Sequence, residues 1–288
     1  MSTEKKPAKP TITYLHDPYS EYLEKPEYIG SHALNAFMTN PRTYLHTLSK
    51  PQPNTKPYQI IEAAYDLIIG TKPFDTKYAR LPNYDRRTSL GKENYKTFIE
   101  QNEGHKIIIT EDQYDLISEV GAYFLNLKWM GDLLRSSHFD LSAYTTDPIT
   151  GLCIKMRPAL LSLDRKTLID SKLAYKQSTP ESFNNQHNEY GYDIGLGLYS
   201  MFLPCEKIIN LAVEEKAPYT CSMFGYSASV LKTAKAKTRM ALDLLKWSMD
   251  NNYWCNHAEF EVLKSCYLTK KMHTAYEKVR NSELVISM

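Results

Sequence analysis

No run of apolar residues in this 288-residue chain approaches the ~18 needed for a helix to cross a bilayer, which excludes a membrane-spanning helix. Cysteine is scarce. The five thiols, Cys153, Cys205, Cys221, Cys255 and Cys266, form no Cys-x-x-Cys pair, and their number is odd. A disulfide framework and the common zinc spacings are thereby excluded. The nearest approach to a zinc cluster, Cys255-Asn256-His257 with Cys266, has a spacing unlike those sites. No signal-peptide pattern opens the chain, so reduced thiols in a cytoplasmic setting are expected. An excess of one charge is missing as well. Thirty-five Lys and Arg against 33 Asp and Glu leave +2, so nucleic-acid binding requires local segregation of charge. Internal repeats and long low-complexity linkers are also absent.

What is present suits a folded, soluble chain: 42% hydrophobic and 24% charged residues. Met1 to Pro10 is polar and proline-bearing, and residues 1–27 are expected to form a flexible tail before a single domain over 28–288. Helical spacing of apolar residues starts at Ser31, an N-cap type, and Pro41 closes that helix. A second amphipathic helix spans Tyr58 to Ile69, with Ile60, Ile61, Ala64, Leu67 and Ile68 on its apolar face. Thr71 to Lys92 reads as a loop. Thr110-Glu-Asp-Gln113 is a capping-box signature opening a long helix to about Arg135.

The period then changes. Phe139 to Tyr144, Leu152 to Leu163 and Thr167 to Lys172 read as three strands, the first two joined by the turn Asp147-Pro148-Ile-Thr-Gly151. Thr179-Pro180 caps a helix to about Leu203. Strand character returns at Lys207 to Val213 and Thr220 to Tyr226, and Ser229 to Met249 is a last long helix. This order predicts an α+β or mixed α/β domain around one central sheet.

One chemical pattern stands out. Asp170-x-Lys172 at a strand end places a carboxylate and an ammonium on one face, where the acid can bind a divalent metal and the lysine can position an attacking water. The pattern alone is weak, since acidic-x-Lys also occurs at Glu4, Asp75, Asp164 and Glu214. The setting selects Asp170: an apolar run before it, a hairpin upstream and a helix downstream. A solvated strand-end pair is the competing explanation. Asp140 offers a second carboxylate.

Several segments resemble the nuclease domain of exodeoxyribonuclease VIII, a recombination exonuclease of the PD-(D/E)XK superfamily. They are Ser31-x-x-Leu34 with Pro41-x-x-Tyr44, Asn83-Tyr84-Asp85-Arg86-Arg87-Thr88-Ser89-Leu90-Gly91-Lys92, Asp147-Pro148-x-Thr150-Gly151-x-Cys153, Arg157-Pro158, Asp170-x-Lys172, and Tyr190-x-Tyr192 with Tyr199-Ser200. The resemblance runs from about Tyr28 to Met249. It implies a restriction-endonuclease-like core, a central mixed sheet flanked by helices. It also implies magnesium or manganese at Asp140, Asp170 and Asp66, with Lys172, Asp170 and Asp140 as the catalytic set.

The departures from that pattern are as informative. Asp66 stands where the family carries histidine, Ala159 where an aspartate follows Arg-Pro, and Gly195 where a glutamine is usual. Asp140 is a conservative match. A methyl group cannot replace a metal-bridging carboxylate, so a loss on the order of 10³-fold or more in hydrolysis is expected from Ala159. An engineered substitution would explain Ala159; the further changes at Asp66 and Gly195 point towards natural decay.

Arg80, Arg86, Arg87 and Lys92, in the segment most like the family, are candidate contacts to DNA phosphates. Lys232, Lys235, Lys237 and Arg239 spread around their helix and read as a solvated face. Tyr190, Tyr192 and Tyr199 read as packing residues.

Three functions fit. One is an exonuclease digesting double-stranded DNA ends 5′ to 3′ and passing single strands to an annealing protein. The second is a pseudonuclease that binds DNA without efficient cleavage. The third is an interaction or inhibitor module acting on a repair complex. The resemblance places all three in phage or prophage recombination inside a bacterial host, in a homo-oligomer with no membrane role. DNA-end processing with hydrolysis impaired at Ala159 is the expected function.

Overall fold

The computed structural model describes residues 11–48, 56–69, 73–139, 141–214, 216 and 218–268. Ten strands occur among them, β1 Thr13–Leu15, β2 Tyr78–Arg80, β3 Ile107–Ile109, β4 Ser137–Phe139 and β5 Ser142–Thr146 in the first half. The second half adds β6 Cys153–Met156, β7 Leu160–Ser162, β8 Thr167–Ala174, β9 Lys207–Glu214 and β10 Cys221–Gly225. Five of them form a mixed sheet in the order β10-β9-β8-β7-β4, parallel between β8 and β9 and antiparallel elsewhere. A three-stranded sheet, β1-β5-β6, lies beside it, and β2 and β3 pair in parallel.

Alternation along the two longest strands explains the layers. On one face of β8 and β9, Leu168 and Ile208 join a core with Ile194, Leu198, Leu242 and Leu245 from helices Tyr192–Phe202 and Ala228–Asn251. On the other face, Ile169, Ile209, Leu211 and Val213 meet Ile61 and Tyr65 of helix Lys56–Ile69 and Ile117 and Phe124 of helix Glu111–Asn126. The central sheet is thus flanked by helices on both faces, the mixed α+β arrangement expected from the sequence.

Several boundaries differ from the sequence reading. The hairpin strands are each divided between two sheets. β5 and β6 belong to the three-stranded sheet, whereas β4 and β7 belong to the central one. On the second of these strands, Arg157-Pro158-Ala159 lies between the pieces. Proline supplies no N–H for the ladder and restricts the residue before it, which suits a strand leaving its sheet. The helix read from Thr110 to Arg135 has its capping box, but it breaks at Leu127 into Glu111–Asn126 and Lys128–Arg135. The helix read from Thr179 to Leu203 breaks into Pro180–Glu189 and Tyr192–Phe202 at Gly191, whose φ of +63° lies in the left-handed region that favours glycine. Ser31 is the first residue of helix Ser31–Thr39 and Gly30 its N-cap, and Pro41 opens a second helix, Pro41–Leu48.

The loop read over 71–92 contains helix Phe74–Lys77, β2 and the start of helix Ser89–Asn102. Helix His257–Leu268 has no counterpart in the sequence reading.

Residues 11–27 do not belong to a flexible tail. β1 pairs with β5, and helix Tyr19–Leu23 follows it. Lys155 Nζ donates to the carbonyls of Tyr22, Leu23 and Lys25 at 2.7, 3.3 and 3.0 Å, capping that helix. The Asp17 carboxylate accepts from Lys25 at 2.7 Å and from the Tyr144 hydroxyl, and Arg157 Nη1 donates to the Asp17 carbonyl at 2.8 Å. Residues 1–10 lie outside the described residues.

Candidate functional site

β8 carries the acid–lysine pair on its central-sheet face. Asp170 and Lys172, two residues apart, share that face, and Lys172 Nζ lies 2.9 Å from Asp170 Oδ2. Their side chains are 15% and 26% exposed, so the pair is reachable from solvent. Asn210, next to Asp170 in the parallel register, donates through Nδ2 to the Tyr226 hydroxyl. Lys172 Nζ also stands 4.8 Å from the centroid of the Tyr192 ring.

The helices facing this strand add further polar groups. Lys237 Nζ pairs with Asp193 Oδ2 at 2.7 Å. His187 packs edge-on to Tyr192 and tilted against Tyr226. Burial holds its imidazole below the usual histidine range; Asp193 opposes this, while Lys172 and Lys237 reinforce it. Burial likewise keeps the Tyr226 phenol protonated, with Asp170 and Tyr192 acting in the same sense. The site is therefore an acid and an ammonium among neutral phenols.

Asp66 is placed elsewhere. It accepts from Lys77 Nζ at 2.7 Å and from the Tyr78 hydroxyl at 2.6 Å, while Glu62, one helical turn earlier, shares the same ammonium at 2.8 Å. Their helix, Lys56–Ile69, reaches β8 through Tyr65, whose hydroxyl is 2.7 Å from Ser171 Oγ. Ser171 points to the face opposite that of Asp170. Asp140 lies outside the described residues. Among the described residues, no group of three or more His, Cys, Asp or Glu side chains is placed to hold a metal ion. The described donors alone do not fit the expected magnesium or manganese.

Ala159 follows the chain's departure at Pro158 and packs, partly buried, against the apolar cluster that includes Leu160 and Ile169. Gly195 faces another helix. A Cβ there would meet Ser31 Cβ at 3.5 Å, an ordinary contact, so the position belongs to helix packing against Ser31–Thr39.

The four candidate phosphate contacts are exposed but unequal. Arg80 makes a two-point ion pair with Glu111 and lies 4.1 Å from the Tyr114 ring centroid. Arg87 Nε pairs with Asp85 at 3.0 Å. Arg86 lies over the Tyr95 ring at 4.9 Å. Lys92 sits in the first turn of helix Ser89–Asn102, which Thr88 caps by accepting from Gly91 N–H.

Other basic and aromatic residues depart from expectation. Lys232 and Lys235 are solvated as read, but Arg239 grips Asp147 in the hairpin turn with bonds of 2.9 and 2.8 Å and also holds Asp243. Tyr199 is buried, whereas Tyr190 is exposed. The sequence reading missed Glu62, whose spacing of four from Asp66 was the available signal. It also missed Gln186, a buried amide three residues after Phe183 on the same helix face.

No protein-family model matches the chain, and no curated protein matches it by sequence. Solved structures do. A candidate exonuclease from Eubacterium rectale superimposes with a TM-score of 0.54 over 81% of this chain and 85% of its own, at 10% identity. A phage-related exonuclease from Haemophilus somnus 129PT aligns over 78% of this chain and 96% of its own, at 12% identity and a TM-score of 0.33, too low to carry an argument. The chain has an exonuclease-like fold: a central five-stranded mixed sheet flanked by helices.

Proposed function

We propose that this chain handles double-stranded DNA ends in phage or prophage recombination, on a nuclease scaffold whose metal-dependent hydrolysis is impaired at Ala159. One observation carries the reading. Asp170 and Lys172 lie side by side on the central strand of an exonuclease-like fold; the family resemblance adds that Ala159 takes the position of a second carboxylate. Lys172 supplies a positive charge for a phosphodiester, and Asp170 orients that ammonium. Arg86, Arg87 and Lys92 extend the contact along the DNA backbone without reading sequence.

The engagement of Asp66 and Glu62 by Lys77 favours weak or absent cutting and strengthens the pseudonuclease alternative. Binding to linear duplex DNA, titrated with salt, tests the reading. Affinity falling steeply and linearly on a log–log salt plot is expected. Absence of salt-dependent DNA binding sinks it and leaves the interaction-module alternative. A single-strand annealing partner and a homo-oligomeric state are part of the same proposal.

A further inference from the structure

Tyr175 and Tyr190 present two large rings to solvent, 42% and 44% exposed, with centroids 5.5 Å apart. Tyr190 stacks in turn on Tyr192, at 5.9 Å and an interplanar angle of 21°. The third ring lies beneath Lys172, whose Nζ is 4.8 Å from its centroid and 2.9 Å from Asp170. Three aromatic rings therefore run in file from solvent to the acid–lysine pair.

The file is fixed from below. Gln186, buried, accepts from the Tyr175 backbone N–H at 3.2 Å and donates to the Tyr192 hydroxyl at 3.0 Å and the Leu173 carbonyl at 2.6 Å. Gly191 turns the chain between Tyr190 and Tyr192 in the left-handed conformation, and a Cβ there would collide with Asn35. Asn35 Nδ2 donates to the Tyr190 carbonyl at 3.0 Å. A buried amide and a constrained glycine thus hold the file in place at the surface, which lowers the ordering cost of stacking a ligand on it.

We propose that Tyr175 and Tyr190 form a stacking subsite for an unpaired nucleotide at a DNA end, with its phosphate met by the exposed Lys176 beside Tyr175. The proposal rests on the DNA-end reading above and adds a strand-end preference to it. Planar π faces suit bases of any sequence, and a lysine beside the outer ring suits the attached phosphate. Lys176 follows Tyr175 in the chain and Glu189 precedes Tyr190, and both are exposed.

The test compares binding of a blunt duplex with binding of the same duplex carrying a short unpaired extension, on either strand, ending in 2-aminopurine. The extended duplex is expected to bind roughly tenfold more tightly, with the fluorophore quenched on binding. Tyr190→Ala should abolish this ratio and the quenching, and Tyr190→Phe should retain both. A thermal melt confirms that each variant is folded.

Equal binding of the two duplexes, or an unchanged ratio in the Tyr190→Ala and Tyr175→Ala variants, overturns the subsite while leaving duplex-end binding standing. That result would leave the rings to another partner, such as a protein. If neither duplex binds, the subsite and the DNA-end reading fall together.

Discussion

Ala159 packs with the apolar cluster of Leu160 and Ile169, on the face of the central sheet opposite the one that carries Asp170. The β7–β8 ladder pairs Leu161 with Leu168 and Leu160 with Ile169, and Ala159 lies in the bend just before it. A carboxylate at 159 would enter the chain where β7 joins the central sheet, one strand from the acid–lysine pair. The methyl group there instead packs on apolar neighbours. The Asp170 carboxylate makes an ion pair with Lys172.

The Lys77 bridge is expected to stabilise its helix more than an exposed ion pair does. Glu62 and Asp66 are 7% and 13% exposed, so removing their shared cation leaves two carboxylates in a poorly solvated place. Lys77→Met should cost about 1–3 kcal/mol in urea unfolding, at the lower end because the lysine itself is partly solvated. Unchanged stability would show that the bridge is incidental.

The docking of residues 11–27 should fail in acid. Burial raises the Asp17 pKa, but bonds from Lys25, Ser142 and Tyr144 and the Lys25 charge outweigh it, bringing the carboxyl from 3.8 down to about 2. Because the folded value is depressed, the stabilisation is complete above the unfolded value of 3.8 and disappears as the pH falls towards about 2. Asp17→Asn should therefore lose about 2 kcal/mol at neutral pH, and the gap to the unaltered chain should close across that window. Denaturant titrations at a series of pH values measure it, and a gap that persists at the acid end contradicts the assignment.

Two glycines on one helix should respond in opposite ways. At Gly197 a Cβ would meet Thr238 Oγ1 at 2.0 Å and the Ala234 carbonyl oxygen at 2.5 Å, because helices Tyr192–Phe202 and Ala228–Asn251 touch backbone to backbone there. Gly197→Ala should cost about 1–3 kcal/mol through overpacking. Gly195→Ala meets only an ordinary contact and should be neutral or gain up to about 1 kcal/mol from helix propensity. Thermal melts of the two variants decide it.

The basic loop should show graded effects on duplex binding. Arg86→Ala and Lys92→Ala should each lower the salt slope by about 0.9, the value for one phosphate contact. Arg80, already paired on both sides with Glu111, should change it less. Equal effects at all three positions would mean that the Arg80–Glu111 pair opens when DNA arrives.

Local signals in the sequence were dependable where one residue type dictates one geometry. The Thr110 capping box, the Thr179-Pro180 helix start and the strand from Lys207 appear as read. The pairing of Asp170 with Lys172 was legible because a two-residue step fixes both on one face. Exchange of strands between sheets was harder to see. Leu152 to Leu163 reads as one strand, and only Pro158 marks the place where the chain leaves one ladder for another. The break at Gly191 was hidden because glycine also occurs inside this helix, at 195 and 197. The fate of Asp66 depends on Lys77, eleven residues away, and no local pattern reports that contact. Tyr190 was read as packing because a tyrosine's exposure is decided by the turn that carries it.

Digestion of end-labelled linear duplex DNA with magnesium and with manganese, comparing this chain with its Ala159→Asp variant, tests the central claim most directly. The account predicts that both bind DNA and that the variant cuts faster by a factor on the order of 10³ or more. Efficient cutting by the unaltered chain would contradict it.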